Sequence, residues 1–333
     1  MKAAVIGYGY WGPNLVRNLT QLDEVEVSWC ADKRDARRTL AKKQHPTLQV
    51  TGNADEVFED PTVDAVVIAT PVGTHFALAK RALENGKHVL IEKPMTQTVA
   101  QSEELIELAR KNGRVLMVDH TFIYTGAVRK MKEIIEVGEL GDLYYFDSVR
   151  INLGLIQHDI DVLWDLAPHD LSILTHLIKQ PPKYVSAVGS AHTGNGLADV
   201  AYMTVHFEND FIAHFHVNWL SPVKIRQTLI GGSRRMLVYD DMQPSEKIRV
   251  YDRGVQVTTQ EGVYNTLIDY RQGDMWAPKI ELREALSAEC QHFLECIRFK
   301  KVPQSNGESG LAVVRLLEGA SKSLAGGGER IPV

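Results

Sequence analysis

The chain has 333 residues, 44% hydrophobic and 24% charged, and its 37 Lys and Arg against 42 Asp and Glu leave a formal net charge of -5. That length exceeds what one hydrophobic core ordinarily supports, so two domains are expected, and the mild acidity offers no broad positive field for nucleic acid or anionic lipid. Cys30, Cys290 and Cys296 lack zinc-type spacing and read as reduced thiols; the N-terminal apolar run is too short for a signal peptide, and none approaches the ~20 residues of a membrane span. The expectation is a cytoplasmic protein that binds neither nucleic acid nor membrane.

From residue 1 to about 120, short β-branched runs alternate with helical stretches, which predicts a parallel sheet covered by helices. The predicted strands are Ala3 to Ile6, Val25 to Trp29, Asp64 to Ala69, His88 to Ile91 and Arg114 to Val118. Between them the three- and four-residue apolar spacing predicts helices over Trp11 to Gln21, Ala36 to Lys43, Thr74 to Glu84 and Val99 to Lys111, with Gly86 and Gly113 as stop residues. After residue 120 a helix over Thr125 to Val137 leads to a strand from Leu143 to Ile151 and a helix beginning near Asp165. Six strands follow: Tyr184 to Gly189, Ala201 to Phe207, Phe211 to Trp219, Arg226 to Gly231, Met236 to Tyr239 and Ile248 to Tyr251. Polar turns such as Glu208-Asn209-Asp210 predict antiparallel hairpins, and helices over Ile280 to Phe299 and Gly310 to Leu324 close the chain. The fold class is therefore α/β: a doubly wound Rossmann domain over 1–121, then an α+β domain with an open-faced, mostly antiparallel sheet over 122–333.

Gly7-Tyr8-Gly9-Tyr10-Trp11-Gly12 follows a predicted strand and opens a predicted helix, the context that makes such a loop a dinucleotide fingerprint. Gly7 permits the tight turn, Gly9 lets the backbone approach a pyrophosphate, and Gly12 lets helix and strand pack closely. Asp32 stands twenty residues further on, at the end of the second strand, where an acid accepts hydrogen bonds from ribose hydroxyls and repels a 2′-phosphate. NAD is thus expected over NADP, although Lys33 and Arg34 could offer cations to that phosphate; the competing reading of Asp32 is a helix cap.

Ala69-Thr70-Pro71 with Thr74-His75, and Glu92-Lys93-Pro94, both end predicted strands, where open α/β sheets bind ligands. With the glycine loop, Gly138-Glu139-Leu140-Gly141, Asp165-x-x-x-His169 and His292 to Ile297, they run in the order of the glucose-fructose oxidoreductase / inositol dehydrogenase (Gfo/Idh/MocA) family, which the chain resembles along its whole length. The resemblance implies a sheet in the second domain that binds substrate on one side and makes subunit contacts on the other, as a homodimer or homotetramer. It also implies that Lys93 approaches nicotinamide and substrate, that Asp165 and His169 are the aspartate and catalytic histidine, and that Gly7, Gly9, Tyr10, Trp11, Gly12, Asp32, Lys33, Thr70, Pro71, His75, Glu92 and Lys93 form the cofactor site. Val162-Leu163-Trp164 replaces the glycine pair usual in the family before Asp165, which alters the shape of the substrate pocket. The glycine loop and Trp164 to Asp170 most resemble members acting on nucleotide-linked sugars.

Hydride transfer from a secondary alcohol needs a base for the hydroxyl proton and a cation or donor at the developing oxyanion, which His169 and Lys93 supply. Read without the motif, Lys93 is a solvated loop residue, and Asp165 a helix cap that could at the same time orient His169 four residues on. His120, Arg150, Asn152 and His158 join Lys93, Asp165 and His169 as candidate substrate contacts. His158, Asp159, Asp161, Asp165 and His169 lie close together without diagnostic metal spacing, so no metal is expected. The expected activity is oxidation of a sugar or nucleotide-sugar alcohol by NAD. Keto-sugar reduction uses the same residues in reverse, and a non-enzymatic NAD-binding regulator is the reading from another class.

Overall fold

The computed structural model describes residues 1–154, 156–194, 196–252, 254–258 and 267–333. The chain forms two compact units, Met1–Tyr124 with Arg283–Glu318, and Thr125–Leu282 with Gly319–Val333. A single boundary near residue 121 therefore does not describe it, because a C-terminal segment joins the first unit.

In the first unit, β1 (Lys2–Ile6), β2 (Glu26–Ala31), β3 (Gln49–Thr51), β4 (Ala65–Ile68), β5 (His88–Glu92) and β6 (Leu116–Asp119) form a parallel sheet ordered β3-β2-β1-β4-β5-β6. The intervening helices are α1 (Gly12–Thr20), α2 (Asp35–Gln44), α3 (Ala54–Glu59), α4 (His75–Glu84) and α5 (Val99–Lys111). β4 is buried at every position, as a strand covered by helices on both faces must be. Strand order reverses between β1 and β4, so the loops after these two strands flank the switch point where such sheets take ligands. The sequence reading lacks β3 and α3: a three-residue strand and a six-residue helix are too short to print a period. Asn53 starts α3 by accepting from the Asp55 N–H at 3.1 Å.

The second unit begins with α6 (Gly126–Glu136), capped by Thr125, whose hydroxyl accepts from the Val128 N–H at 3.2 Å. β7 (Leu143–Ile151) and α7 (Val162–Leu177) follow. Then come β8 (Tyr184–Ser190), β9 (Val200–His206), β10 (Ile212–Asn218), β11 (Ile225–Gly232), β12 (Met236–Asp240), β13 (Ile248–Tyr251), the paired β14 (Gly254–Thr258) and β15 (Leu267–Arg271), and β16 (Met275–Trp276). β14 and β15 form a two-stranded sheet of their own, and the others, with β7 and β17 (Ile331–Pro332), make a nine-stranded sheet ordered β16-β13-β12-β11-β7-β10-β9-β8-β17. Its ladders are antiparallel except β7 with β10, which run parallel, so the hairpin expectation holds around the sheet but not at its centre. Period-two burial sends Phe146, Ala213, Phe215, Met203 and Val205 inward, while Tyr202, His214 and His216 line the other face, where Tyr202 stacks on His216 at 4.5 Å.

α7 starts earlier than predicted. Asp161 is its N-cap, accepting from the Trp164 N–H at 3.1 Å, which corrects the expectation that Asp165 caps this helix.

Two closing helices, α8 (Ala285–Phe299) and α9 (Gly307–Ala325), end the fold. The apolar face of α8, with Leu286, Cys290, Phe293 and Leu294, belongs to the same cluster as Leu15, Leu19, Ile123 and Tyr124 of the first unit. Glu284, just before α8, accepts from Arg17 Nη1 at 3.1 Å and Asn18 Nδ2 at 3.1 Å of α1. Among the described residues no helix is long and apolar enough to cross a membrane.

Candidate functional site

The glycine loop turns because its glycines leave no room for side chains. Gly7 has φ +99°, and a Cβ there would sit 2.5 Å from the Ala69 carbonyl oxygen; at Gly12 it would sit 2.1 Å from the Gly7 carbonyl oxygen. A Cβ on Gly9 would meet only the Arg34 guanidinium, at 3.5 Å, so its backbone stays open to an approaching ligand. The N-cap of α1, Trp11, supplies no side-chain cap; Pro13 has no N–H and Asn14 donates to the Trp11 carbonyl at 2.9 Å, so the Gly12 N–H is what the first turn offers a phosphate. The loop is tied at both ends. The Tyr8 N–H donates to Asp32 Oδ2 at 2.8 Å, and Trp11 Nε1 donates to Asp119 Oδ2 at 2.9 Å.

Asp32 is buried at the end of β2 and takes four donors: Tyr8 N–H, Arg34 N–H at 2.9 Å, Arg34 Nε at 3.0 Å and Arg34 Nη2 at 2.9 Å. Burial pushes its carboxyl up, but the Arg34 guanidinium and the two backbone N–H groups outweigh it and hold the group below the usual range. Asp32 is therefore no helix cap. Lys33 is exposed, as is Tyr10 at 83%.

Thr70 and Pro71 follow β4, and Glu92 and Lys93 end β5 and begin its loop. His75 braces these two loops, with Nδ1 2.9 Å from the Pro94 carbonyl and Nε2 2.7 Å from the Thr70 carbonyl. At 1% exposure, with both nitrogens on carbonyls, it is a strut and not the cofactor ligand expected from the sequence. Glu92, Asp119 and His120 gather near Lys93. His120 is 2% exposed, with neither ring nitrogen hydrogen-bonded among the described residues; burial and the Lys93 charge, against the opposing Asp119, lower its pKa to about 4.

In the second unit, Asp165 and His169 lie one turn apart on α7, both partly exposed. Trp219, 1% exposed just beyond β10, donates Nε1 to Asp165 Oδ2 at 3.0 Å. No sequence pattern marks that residue. Arg150 corrects another expectation: its guanidinium forms a bidentate pair with Asp170 at 2.6 and 2.9 Å, with side-chain exposures of 3% and 5%, so it is held in the core and not offered to substrate. Asn152 is half-buried after β7, and His158 is exposed in the following loop. Among the described residues no group of three His, Cys, Asp or Glu is placed to hold a metal.

Comparison with known proteins adds the family. The Gfo/Idh/MocA oxidoreductase family with NAD-binding Rossmann fold matches residues 1–120, and the family's C-terminal domain matches residues 128–238. The chain is similar to UDP-N-acetylglucosamine 3-dehydrogenase from Acidithiobacillus ferrooxidans, at 29% identity over 316 residues and 94% of each chain. The crystal form of that enzyme aligns at TM-score 0.82 and 25% identity over 98% of each chain. It is 25% identical over 317 residues to the scyllo-inositol 2-dehydrogenase (NAD(+)) of Bacillus subtilis, covering 91% of this chain and 88% of the relative. GenD2 from gentamicin A biosynthesis, solved with NAD, shares the fold at TM-score 0.84 and 23% identity over 100% of this chain and 96% of GenD2. The glycine loop, with its acid on β2 and its open helix N-terminus, fits the NAD that these Rossmann domains bind, and the chain belongs to the Gfo/Idh/MocA family of NAD-binding oxidoreductases.

Proposed function

We propose that the chain is a cytoplasmic NAD-dependent dehydrogenase that oxidises a secondary alcohol of a nucleotide-linked sugar. What carries this reading is that one chain holds both an intact dinucleotide loop with Lys93 just after β5 and the Asp165–His169 turn of α7, and is matched over 94% of its length by a UDP-sugar dehydrogenase. Three buried free cysteines accord with a reducing compartment.

The bound nicotinamide supplies the hydride acceptor. His169 takes the hydroxyl proton, Asp165 orients the imidazole and is itself oriented by the Trp219 indole, and the Lys93 ammonium stabilises the oxyanion. Tyr10, Trp11, Lys33, Thr70, Pro71 and Glu92 border the cofactor; Asn152, His120 and His158 are the remaining substrate contacts. A homodimer or homotetramer through the second sheet is supported by the half-exposed face carrying Tyr202 (42%) and Ile212 (40%), and sedimentation at micromolar concentration tests it. For the activity, the purified protein is incubated with NAD and a panel of UDP-sugars and free inositols while NADH absorbance is followed. Turnover of UDP-sugars supports the reading. NADH formation from the inositols alone refutes the nucleotide-sugar assignment, and reduction of keto-sugars by NADH without the forward reaction reverses the direction.

A further inference from the structure

His75 opens α4 and is 1% exposed, at the point where two loops meet. Its Nε2 lies 2.7 Å from the Thr70 carbonyl oxygen, after β4, and its Nδ1 lies 2.9 Å from the Pro94 carbonyl oxygen, after β5. A carbonyl accepts and cannot donate, so each partner demands an N–H from the ring. A neutral imidazole carries one N–H and one lone pair, and only the imidazolium carries two N–H groups. The paired contacts therefore describe a charged ring, because a neutral one would set a lone pair against a carbonyl oxygen in a site closed to solvent.

The two carbonyls belong to the frame of the proposed cofactor site. The Thr70 segment abuts the glycine loop: a Cβ on Gly7 would lie 2.5 Å from the Ala69 carbonyl oxygen and 2.9 Å from Thr70 Cγ2. Pro94 follows Lys93, whose backbone N–H donates to Glu92 Oε2 at 3.0 Å. One imidazole thus ties the wall of the glycine loop to the segment that carries the lysine. Burial pushes the ring below its ordinary range, and the Lys93 charge adds to this, against the Pro94, Thr70 and Met95 backbone, which favours the charged form. Lys93 is the charged group that bears on the ring; Glu92 faces Lys93 and Asp119, and further along α4 Lys80 pairs with Glu104 of α5 and Arg81 with Asp55 of α3.

We propose that His75 is a positioning residue that clasps these two segments through its proton: the imidazolium donates to Thr70 and Pro94 together, and the neutral ring, with one donor left, releases one of them. This rests on Thr70, Glu92 and Lys93 bordering the cofactor, as proposed above. Loss of the proton then loosens the NAD site, so NAD affinity falls as pH rises through the ionisation. Burial sets that ionisation on the acid side of the ordinary histidine range.

The test is nitrogen NMR of the histidine-labelled full-length protein, with the His75 ring assigned through bonds from its own Cβ, beside calorimetric NAD binding, both from about pH 4.5 to 8. Below its ionisation His75 should show two ring N–H protons and above it one, and the carbonyl carbon shift of Thr70 or of Pro94 should move with the same midpoint. NAD affinity should fall over that ionisation by about two- to tenfold, the value of one hydrogen bond, and His75→Gln, which cannot gain a proton, should lose the slope. A single ring N–H at a pH where both carbonyls keep their hydrogen-bonded shifts overturns the proposal, as does the same slope, or none, in wild type and His75→Gln. Should the variant not fold, the wild-type ring and carbonyl spectra decide alone. Absence of NAD binding to wild type at every pH refutes the cofactor reading, and the same spectra still decide the clasp.

Discussion

Arg34 clamps Asp32, the acid proposed to meet the NAD ribose, which makes Arg34→Ala an informative change. A carboxylate offers about four lone-pair sites, and in Asp32 four donors occupy them, two from the Arg34 side chain. Ribose hydroxyls can therefore reach Asp32 only when the guanidinium releases it. That guanidinium is 60% exposed, so its pair with Asp32 is worth no more than about 1 kcal/mol, and its removal should tighten NAD binding by up to about fivefold. A 2′-phosphate is the opposite case. Placed against Asp32, it has Arg34 as the adjacent cation, and losing charge-assisted bonds of about 1.5–3 kcal/mol should weaken NADP binding by roughly 10- to 100-fold. The backbone N–H of residue 34 still donates to Asp32 in the variant, so the acid keeps two of its donors. Calorimetry with both cofactors on wild type and Arg34→Ala reads the two effects separately. Unchanged NADP affinity, or weakened NAD affinity, refutes the competition. Wild type itself should prefer NAD, with Asp32→Ala narrowing or reversing that preference, and NADP binding ten times tighter to wild type would overturn the assignment of Asp32.

Lys93→Met should leave NAD affinity within a few-fold and lower kcat by about two orders of magnitude, the value of a charge that acts where an oxyanion develops; near-normal turnover removes Lys93 from the chemistry. For the proton, kcat/KM for oxidation should rise with pH through one ionisation that His169→Ala abolishes, and a rising limb that survives in the variant assigns the base elsewhere. Trp219→Phe, which deletes the donor to Asp165, should lower kcat several-fold without changing NAD affinity, and a change in the NAD dissociation constant would count against a role confined to Asp165. His120 predicts a stability effect with a definite sign. Its folded pKa is lowered from 6.5 to about 4, so the unfolded chain takes up a proton first, and unfolding free energy should fall by up to about 3 kcal/mol as pH drops from 6.5 to 4. Urea titrations of wild type and His120→Gln check this: the variant should lose less stability over that window.

The first sheet was legible because β1, the glycine loop and α1 announce themselves in consecutive residues, and because β4 and β5 are continuous apolar runs that only a covered parallel strand explains. The parallel pairing of β7 with β10 was not, since α7, β8 and β9 intervene and local turns say nothing about such a crossover. Site residues divide the same way. Gly7, Gly9, Gly12 and Asp32 are a local pattern, whereas the bond from Trp219 to Asp165 joins residues 54 apart and the one from Trp11 to Asp119 joins residues 108 apart. Arg150 was misplaced because alternation on β7 assigns a face without revealing that Asp170 waits there.

The seating of α8 on α1 bears on how the protein is made. A ribosome delivers β1 through β6 well before Leu286, Phe293 and Leu294, which complete the core around Leu15 and Leu19 and emerge only after α6 to β16 have been translated. At about 5–20 residues per second the nascent dinucleotide domain waits many seconds with that apolar seat open to aggregation. Lesions in α8, far along the gene from the nucleotide fingerprint, should therefore surface as low yield of the dinucleotide domain, because its folding is finished by a helix synthesised only after α6 to β16.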